Sequence, residues 1–205
     1  AALHQSYAPE LAIRGFSAVA PASVFLEHWA PSLNIPGPHI AYHALLTYAW
    51  SEFYQYAGRS LWSEAWSPNI AEILENHCIY SIDDTTLGEL LPADSSELFA
   101  PEFRTAFATG DLSAYEPMQQ AFAENRLHGY AQTAPLLVFQ GNADQTVLPE
   151  HTEELVAQLR SSNVDVDYRI VVGGTHTNVA YGFLAYPELR TAESLEWIRE
   201  QLQRD

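Results

Sequence analysis

Lysine is absent from this chain of 205 residues, and all nine basic side chains are arginines, set against 26 Asp and Glu for a net charge of −17. Charge of that sign repels phosphate backbones and anionic bilayers, so nucleic acid is excluded as a partner. Cysteine is reduced to Cys78, which excludes an internal disulfide and leaves only pairing with a cysteine of another segment. Long hydrophobic runs are also missing. None reaches the roughly 18 residues a membrane helix needs, so no stable membrane span is expected. There is no internal repeat, charge block or Gly/Ser linker, which excludes low-complexity and disordered classes. What is plentiful is apolar material, 47% of the residues, enough for the core of one domain or a little more. The first residue is Ala1, with no charged n-region and apolar stretch, so the chain is expected to be processed or a piece of something longer.

Three parts follow one another. Residues 1–23 read as the end of a helix and then a strand. His4 to Glu10 is a fraying tail that Pro9 would not continue, and Gly15 to Ala20 is a short apolar run stopped by Pro21. Residues 24–132 read as helical and aromatic. Pro38 opens a helix that Gly58 closes, with Tyr42, Leu46, Ala49, Phe53 and Tyr56 as its apolar stripe. A second helix starts at Ser67-Pro68, a third runs from Ser96 to Gly110 with Leu98, Phe99, Phe103 and Phe107, and a fourth follows Pro117 to near Gly129. Residues 133–205 change character. Pro135 to Gln140 is a continuous apolar strand, Pro149 to Ser161 an amphipathic helix, and Val166 to Val172 a second strand. Pro187 to Gln203 is a terminal helix expected to face inward with Leu189, Ala192, Leu195, Ile198 and Leu202. Strand, helix, strand, helix with buried strands means βαβα and a parallel sheet, hence an α/β fold class.

Ligands and catalytic groups in an open parallel sheet gather at the carboxyl ends of its strands. Asp144 lies there, in the turn Gly141-Asn142-Ala143-Asp144, and His176 follows the next strand in Gly173-Gly174-Thr175-His176. One right-handed crossover separates the two strands, so they can be neighbours about 5 Å apart. Taken singly, an Asp after a strand is usually a turn or N-cap residue, and a lone His is usually packed in a core. Together at consecutive strand ends they fit the base half of a Ser-His-Asp triad, in which the carboxylate fixes the imidazole tautomer and stabilises the imidazolium.

The run Leu137-Val138-Phe139-Gln140-Gly141-Asn142-Ala143-Asp144-Gln145-Thr146-Val147, followed by Gly173-Gly174-Thr175-His176, resembles the last third of an α/β-hydrolase. A large helical insertion between the earlier strand and the acid strand resembles more narrowly the secretory lipases of the fungal lipase A group, which carry a helical lid there. The resemblance implies Asp144 as catalytic acid and His176 as catalytic base, in the superfamily's order Ser, Asp, His. It implies that residues 1–23 are the end of the post-nucleophile helix and the next sheet strand, residues 24–132 a lid or cap insertion, and residues 133–205 the C-terminal βαβα part of the core. It further implies a small-molecule or lipid ester as substrate, no cofactor, and secretion. One departure stands out: no G-x-S-x-G occurs anywhere in the chain. The nucleophile and oxyanion loop are therefore expected upstream of Ala1, in a missing N-terminal part of the same hydrolase, leaving this chain alone inactive. Ser17, inside a strand, and Ser23, just after it, lack the strained strand-to-helix turn a nucleophile needs.

The remaining polar residues carry blander readings. His39 and His43 are four apart on one helical face, a spacing that can bind metal, but no third ligand is near in sequence, so a packed or solvated pair is expected. His151 reads as surface, and Asp83-Asp84 and Glu153-Glu154 read as solvated charge. Trp29, Trp50, Trp62 and Trp66 read as core, an apolar acyl pocket being the sharper alternative. Two rival functions stay open. One is an α/β-hydrolase peptidase with the same acid and base. The other is a non-catalytic lipid- or ligand-binding module, which would hold Asp144 and His176 apart.

Overall fold

The structure, a computed structural model, describes residues 9–23, 25–37, 39–79, 85–127, 134–179 and 191–203. In chain order its elements are β1 (Phe16–Val19), α1 (Phe25–Ser32), α2 (Ile40–Phe53), α3 (Ile70–Asn76), α4 (Leu87–Leu90), α5 (Ser95–Leu98), α6 (Pro101–Thr109) and α7 (Glu116–Glu124). Then come β2 (Leu136–Gly141), α8 (Pro149–Ser161), β3 (Val166–Val171) and α9 (Thr191–Gln203). The chain divides into two compact units, one of Ala1–Ser23 with Leu127–Asp205 and one of Val24–Arg126.

The first unit is built on β2. Its run Leu136 to Phe139 has no polar side chain, so neither face can meet water at low cost, and all six strand residues are buried. β1 and β3 pair with it in parallel, in the order β1-β2-β3, with Phe16 opposite Leu136 and Leu136 opposite Val166. Alternation along β2 serves two cores. Leu136 and Val138 pack with Leu155, Val156 and Leu159 of α8. Leu137 and Phe139 pack on the other face with Val171, Val179 and Trp197 of α9. Pro149 starts α8 at a position where its missing N–H costs nothing, and the helix has the bounds its sequence predicts.

The terminal helix corrects its expected orientation. Leu195, Ile198 and Leu202 are exposed at 59%, 38% and 66%, whereas Ser194, Trp197 and Gln201 are buried. Trp197 brings the largest apolar surface of any side chain on α9, and burying it turns the aliphatic stripe outward.

The second unit holds one large aromatic core, with Phe99, Phe103, Phe107, Tyr115, Leu98, Leu112 and Met118 almost inaccessible. Trp29, Trp50, Trp62 and Trp66 are partly buried against it. Three expectations are corrected here. In α2 the buried face is Ile40, Ala41, His43, Ala44, Thr47 and Ser51, while Phe53 is 79% exposed. The helix also ends at Phe53, before Gln55, which adopts a positive φ. The helix expected over 96–110 is two helices. Asp94 caps α5 through the Ser96 N–H at 2.8 Å, Phe99 and Ala100 are extended, and Pro101 then opens α6. An interior proline would have removed a helical hydrogen bond, so the chain restarts there. Residues expected at His4, Pro38, Asp83, Asp84, Gly129 and Pro187 lie outside the described residues.

Candidate active site

β2 and β3 end side by side, and the loops that leave them are stitched together by backbone. The Asn142 N–H donates to Val171 O at 3.2 Å, the Ala143 N–H to Gly174 O at 2.9 Å, and the Gly173 N–H to the Asn142 side chain at 2.7 Å. Two glycines make this possible. A Cβ on Gly141 would strike the Gly174 carbonyl, and Gly173 has a φ of +71°.

Each loop then fixes one side chain. Asp144 turns its Oδ1 back on its own loop, where it accepts the Thr146 N–H at 2.8 Å and the Val147 N–H at 2.9 Å. Thr175 accepts the Asn178 N–H at 3.4 Å, while the Asn178 side chain accepts the Thr175 N–H at 2.8 Å. This reciprocal cap starts a helical turn over 176–179 and sets the backbone of His176. His176 Nδ1 then lies 2.9 Å from Asp144 Oδ2. The two side chains are thus at the separation expected of an acid–base pair, not apart as the binding-module alternative expects.

The electrostatics suit the pairing. Burial acts to raise the Asp144 pKa, but the hydrogen bonds from His176, Val147 and Thr146 outweigh it and hold the carboxyl below its ordinary value. The Asp144 side chain has no solvent exposure, whereas that of His176 keeps 27%, so the imidazole is reachable from solvent and the carboxylate is not. With Nδ1 committed to Asp144, Nε2 is the ring nitrogen left to exchange a proton with a substrate or nucleophile.

The other sequence candidates are occupied differently. Ser17 is an exposed residue of β1, and buried Ser23 donates its hydroxyl to the His151 carbonyl at 3.3 Å. His39 Nε2 meets the Ser32 carbonyl at 3.0 Å, His43 Nε2 meets the Ser32 hydroxyl at 3.2 Å, and the His43 ring packs against Trp29. The two form a packed pair. Among the described residues no group of three or more His, Cys, Asp or Glu could hold a metal ion. Glu153 and Glu154 are exposed. One participant was missed by sequence reasoning. Gln140, wholly buried, sets its Nε2 at 3.3 Å from Asp144 Oδ2 and accepts the Thr152 hydroxyl at 2.7 Å. Its signal was a lone amide closing an apolar strand.

Solved structures share this fold at low identity. The chain is similar to a candidate hydrolase of Legionella pneumophila (TM-score 0.77, 19% identity), covering 99% of this chain and 52% of that one. It is also similar to the rice cell wall degrading esterase LipA of Xanthomonas oryzae (0.68, 14%; 91% and 50%). A third likeness is to Candida antarctica lipase A in its closed state (0.68, 16%; 98% and 44%). The chain thus spans about half the length of these structures. No curated protein matches by sequence. The fold is that of an α/β-hydrolase, with its parallel sheet. Residues 90–205, more than half of the sequence and including both loops, match the model of the prolyl oligopeptidase family, and the chain belongs to that family.

Proposed function

We propose that this chain is the acid–base part of a serine carboxylesterase or lipase. The observation that carries the reading is the 2.9 Å contact between His176 Nδ1 and Asp144 at the ends of adjacent parallel strands. His176 would accept the nucleophile's proton on Nε2 as the hydroxyl attacks the ester carbonyl, and return it to the departing alcohol. Water then repeats the cycle on the acyl-enzyme. Asp144 holds the Nδ1–H tautomer and stabilises the imidazolium in both halves. The serine and its oxyanion donors are assigned to sequence preceding Ala1. The absence of G-x-S-x-G and the share of the neighbours' length that this chain spans support that assignment.

Acyl esters are favoured because the esterase and lipase likenesses extend over 91% and 98% of the chain, well before residue 90 where the family match begins. A serine peptidase is the second reading, and the prolyl oligopeptidase family match is what favours it. We also assign the protein to lipid catabolism, by analogy with the lipase, and to the outside of the cell, by analogy with the cell wall degrading esterase. No described helix is long and apolar enough to cross a membrane.

The test compares two forms. The 205-residue chain should hydrolyse p-nitrophenyl esters no faster than its His176→Ala variant, and a serine-directed phosphonate should not label it. Extended upstream through a G-x-S-x-G, the protein should turn over and take one label, and Asp144→Asn should lower its kcat roughly 10⁴-fold. Cleavage of peptide but not ester substrates by the longer form would replace the esterase reading with the peptidase one. Turnover by the 205-residue chain that disappears in His176→Ala would move the nucleophile to Ser17 or Ser23.

A further inference from the structure

We propose that Gln140, locked by Thr152, is a positioning residue for the acid, so that the pair Asp144–His176 is the outer half of a four-residue chain Thr152–Gln140–Asp144–His176. The proposal rests on the acid–base reading above and extends it inward. Gln140 is the penultimate residue of β2, and Thr152 sits in the first turn of α8; both are wholly buried. The Gln140 Nε2 faces three oxygens, Val147 O at 3.0 Å, Gly141 O at 3.2 Å and Asp144 Oδ2 at 3.3 Å. Its Oε1 faces a hydroxyl donor, Thr152 Oγ1, at 2.7 Å. Turned over, the amide would set its own oxygen against two carbonyls and a carboxylate, so this orientation is dictated by chemistry.

The consequence lies in which atom is held. Asp144 Oδ1 is fixed by its own loop, through Thr146 and Val147. Oδ2, the oxygen that faces His176, accepts no loop N–H among the described residues and is reached from within by Gln140. Gln140 also grips the Val147 carbonyl, so it ties the far end of the acid loop to the strand from which the loop left. The amide therefore fixes the aim of Oδ2 toward Nδ1, and the Thr152 hydroxyl keeps the amide from turning away. A buried amide with all its groups satisfied is stiff. One left with an unpaired oxygen is expected to reorient.

The tautomer of His176 reads that aim directly. Ring ¹⁵N shifts of the 205-residue protein, taken above the imidazole titration in dilute solution, should report the Nδ1–H form alone. Thr152→Val removes the hydroxyl at nearly constant volume. In a variant with unchanged far-UV circular dichroism it should bring in a resolved Nε2–H population, and Thr152→Ser should restore the single form. A folded Thr152→Val with wild-type ring shifts would overturn the proposal. If Thr152→Val does not fold, the wild-type protein decides: the Gln140 side-chain amide protons should exchange far more slowly than those of an exposed glutamine, and exchange at the exposed rate overturns it. In a hydrolytically active longer form, Thr152→Val should lower kcat roughly 10-fold at constant KM. Absence of hydrolysis in every form would remove the catalytic reading while leaving the tautomer result to stand or fall alone.

Discussion

Helices α8 and α9 cover opposite faces of one strand, β2, and they do it in opposite ways. On α8 the aliphatic stripe Leu155, Val156 and Leu159 is the face turned to the sheet. On α9 the aliphatic stripe Leu195, Ile198 and Leu202 is the face turned away, and the sheet receives Trp197 flanked by Ser194 and Gln201. Both helices have thirteen residues and both are amphipathic. An apolar periodicity therefore establishes that a helix has a greasy side without saying what that side meets. On α9 it is the indole that reaches the sheet, and burying it removes about 150–250 Å² from water.

That contrast can be broken at its strongest point first. Trp197→Ala should cost about 3–5 kcal/mol and Leu159→Ala about 2–5 kcal/mol, both read from denaturant midpoints, since each opens a cavity at a packed face of β2. Equal costs for Leu195→Ala and Leu159→Ala would mean that α9 buries its aliphatic side after all. Next in size is a pH effect confined to the α8 side, where Asp144 precedes the helix. The folded carboxyl sits below its ordinary value of 3.8. Its contribution is therefore complete above that value and lost as pH falls through the folded pKa. Unfolding midpoints followed from pH 6 downward should show this acid loss in the wild type and a shallower one in Asp144→Asn. Parallel curves would remove Asp144 as the source. The smallest expected effect is on the exposed side of α9. Leu195→Gln, Ile198→Gln and Leu202→Gln should each change stability by no more than about 0.5 kcal/mol. A larger loss from any of them would identify a buried neighbour for that face.

Legibility followed how much of the answer is local. The three strands, both ends of α8 and the proximity of Asp144 and His176 were readable, because a six-residue apolar run, a Pro-first helix and a glycine turn each specify their own backbone. The inward face of α9 was misread, since it depends on a sheet that the helix's own residues do not describe. In α2 the buried positions include His43, Thr47 and Ser51, of which His43 meets the Ser32 hydroxyl and Ser51 the Tyr48 carbonyl, so the aromatic stripe pointed to the wrong side. Pro101 is a breaker that the aromatic spacing around it concealed. Gln140 was visible but mute: nothing in PLLVFQ says that its amide reaches a carboxylate four residues on.

The Leu127 N–H donates to the Ser23 carbonyl at 2.9 Å. Residues on either side of a hundred-residue excursion are thus hydrogen-bond neighbours. To the sheet unit, everything between them has the span of a tight turn. A segment anchored in this way can be lengthened, shortened or exchanged at little cost to the unit that carries it, because its ends are already together and loop-closure entropy grows only slowly with length. The loops that carry Asp144 and His176 lie wholly on one side of that junction. A change within residues 24–126 therefore need not disturb how Asp144 and His176 are held.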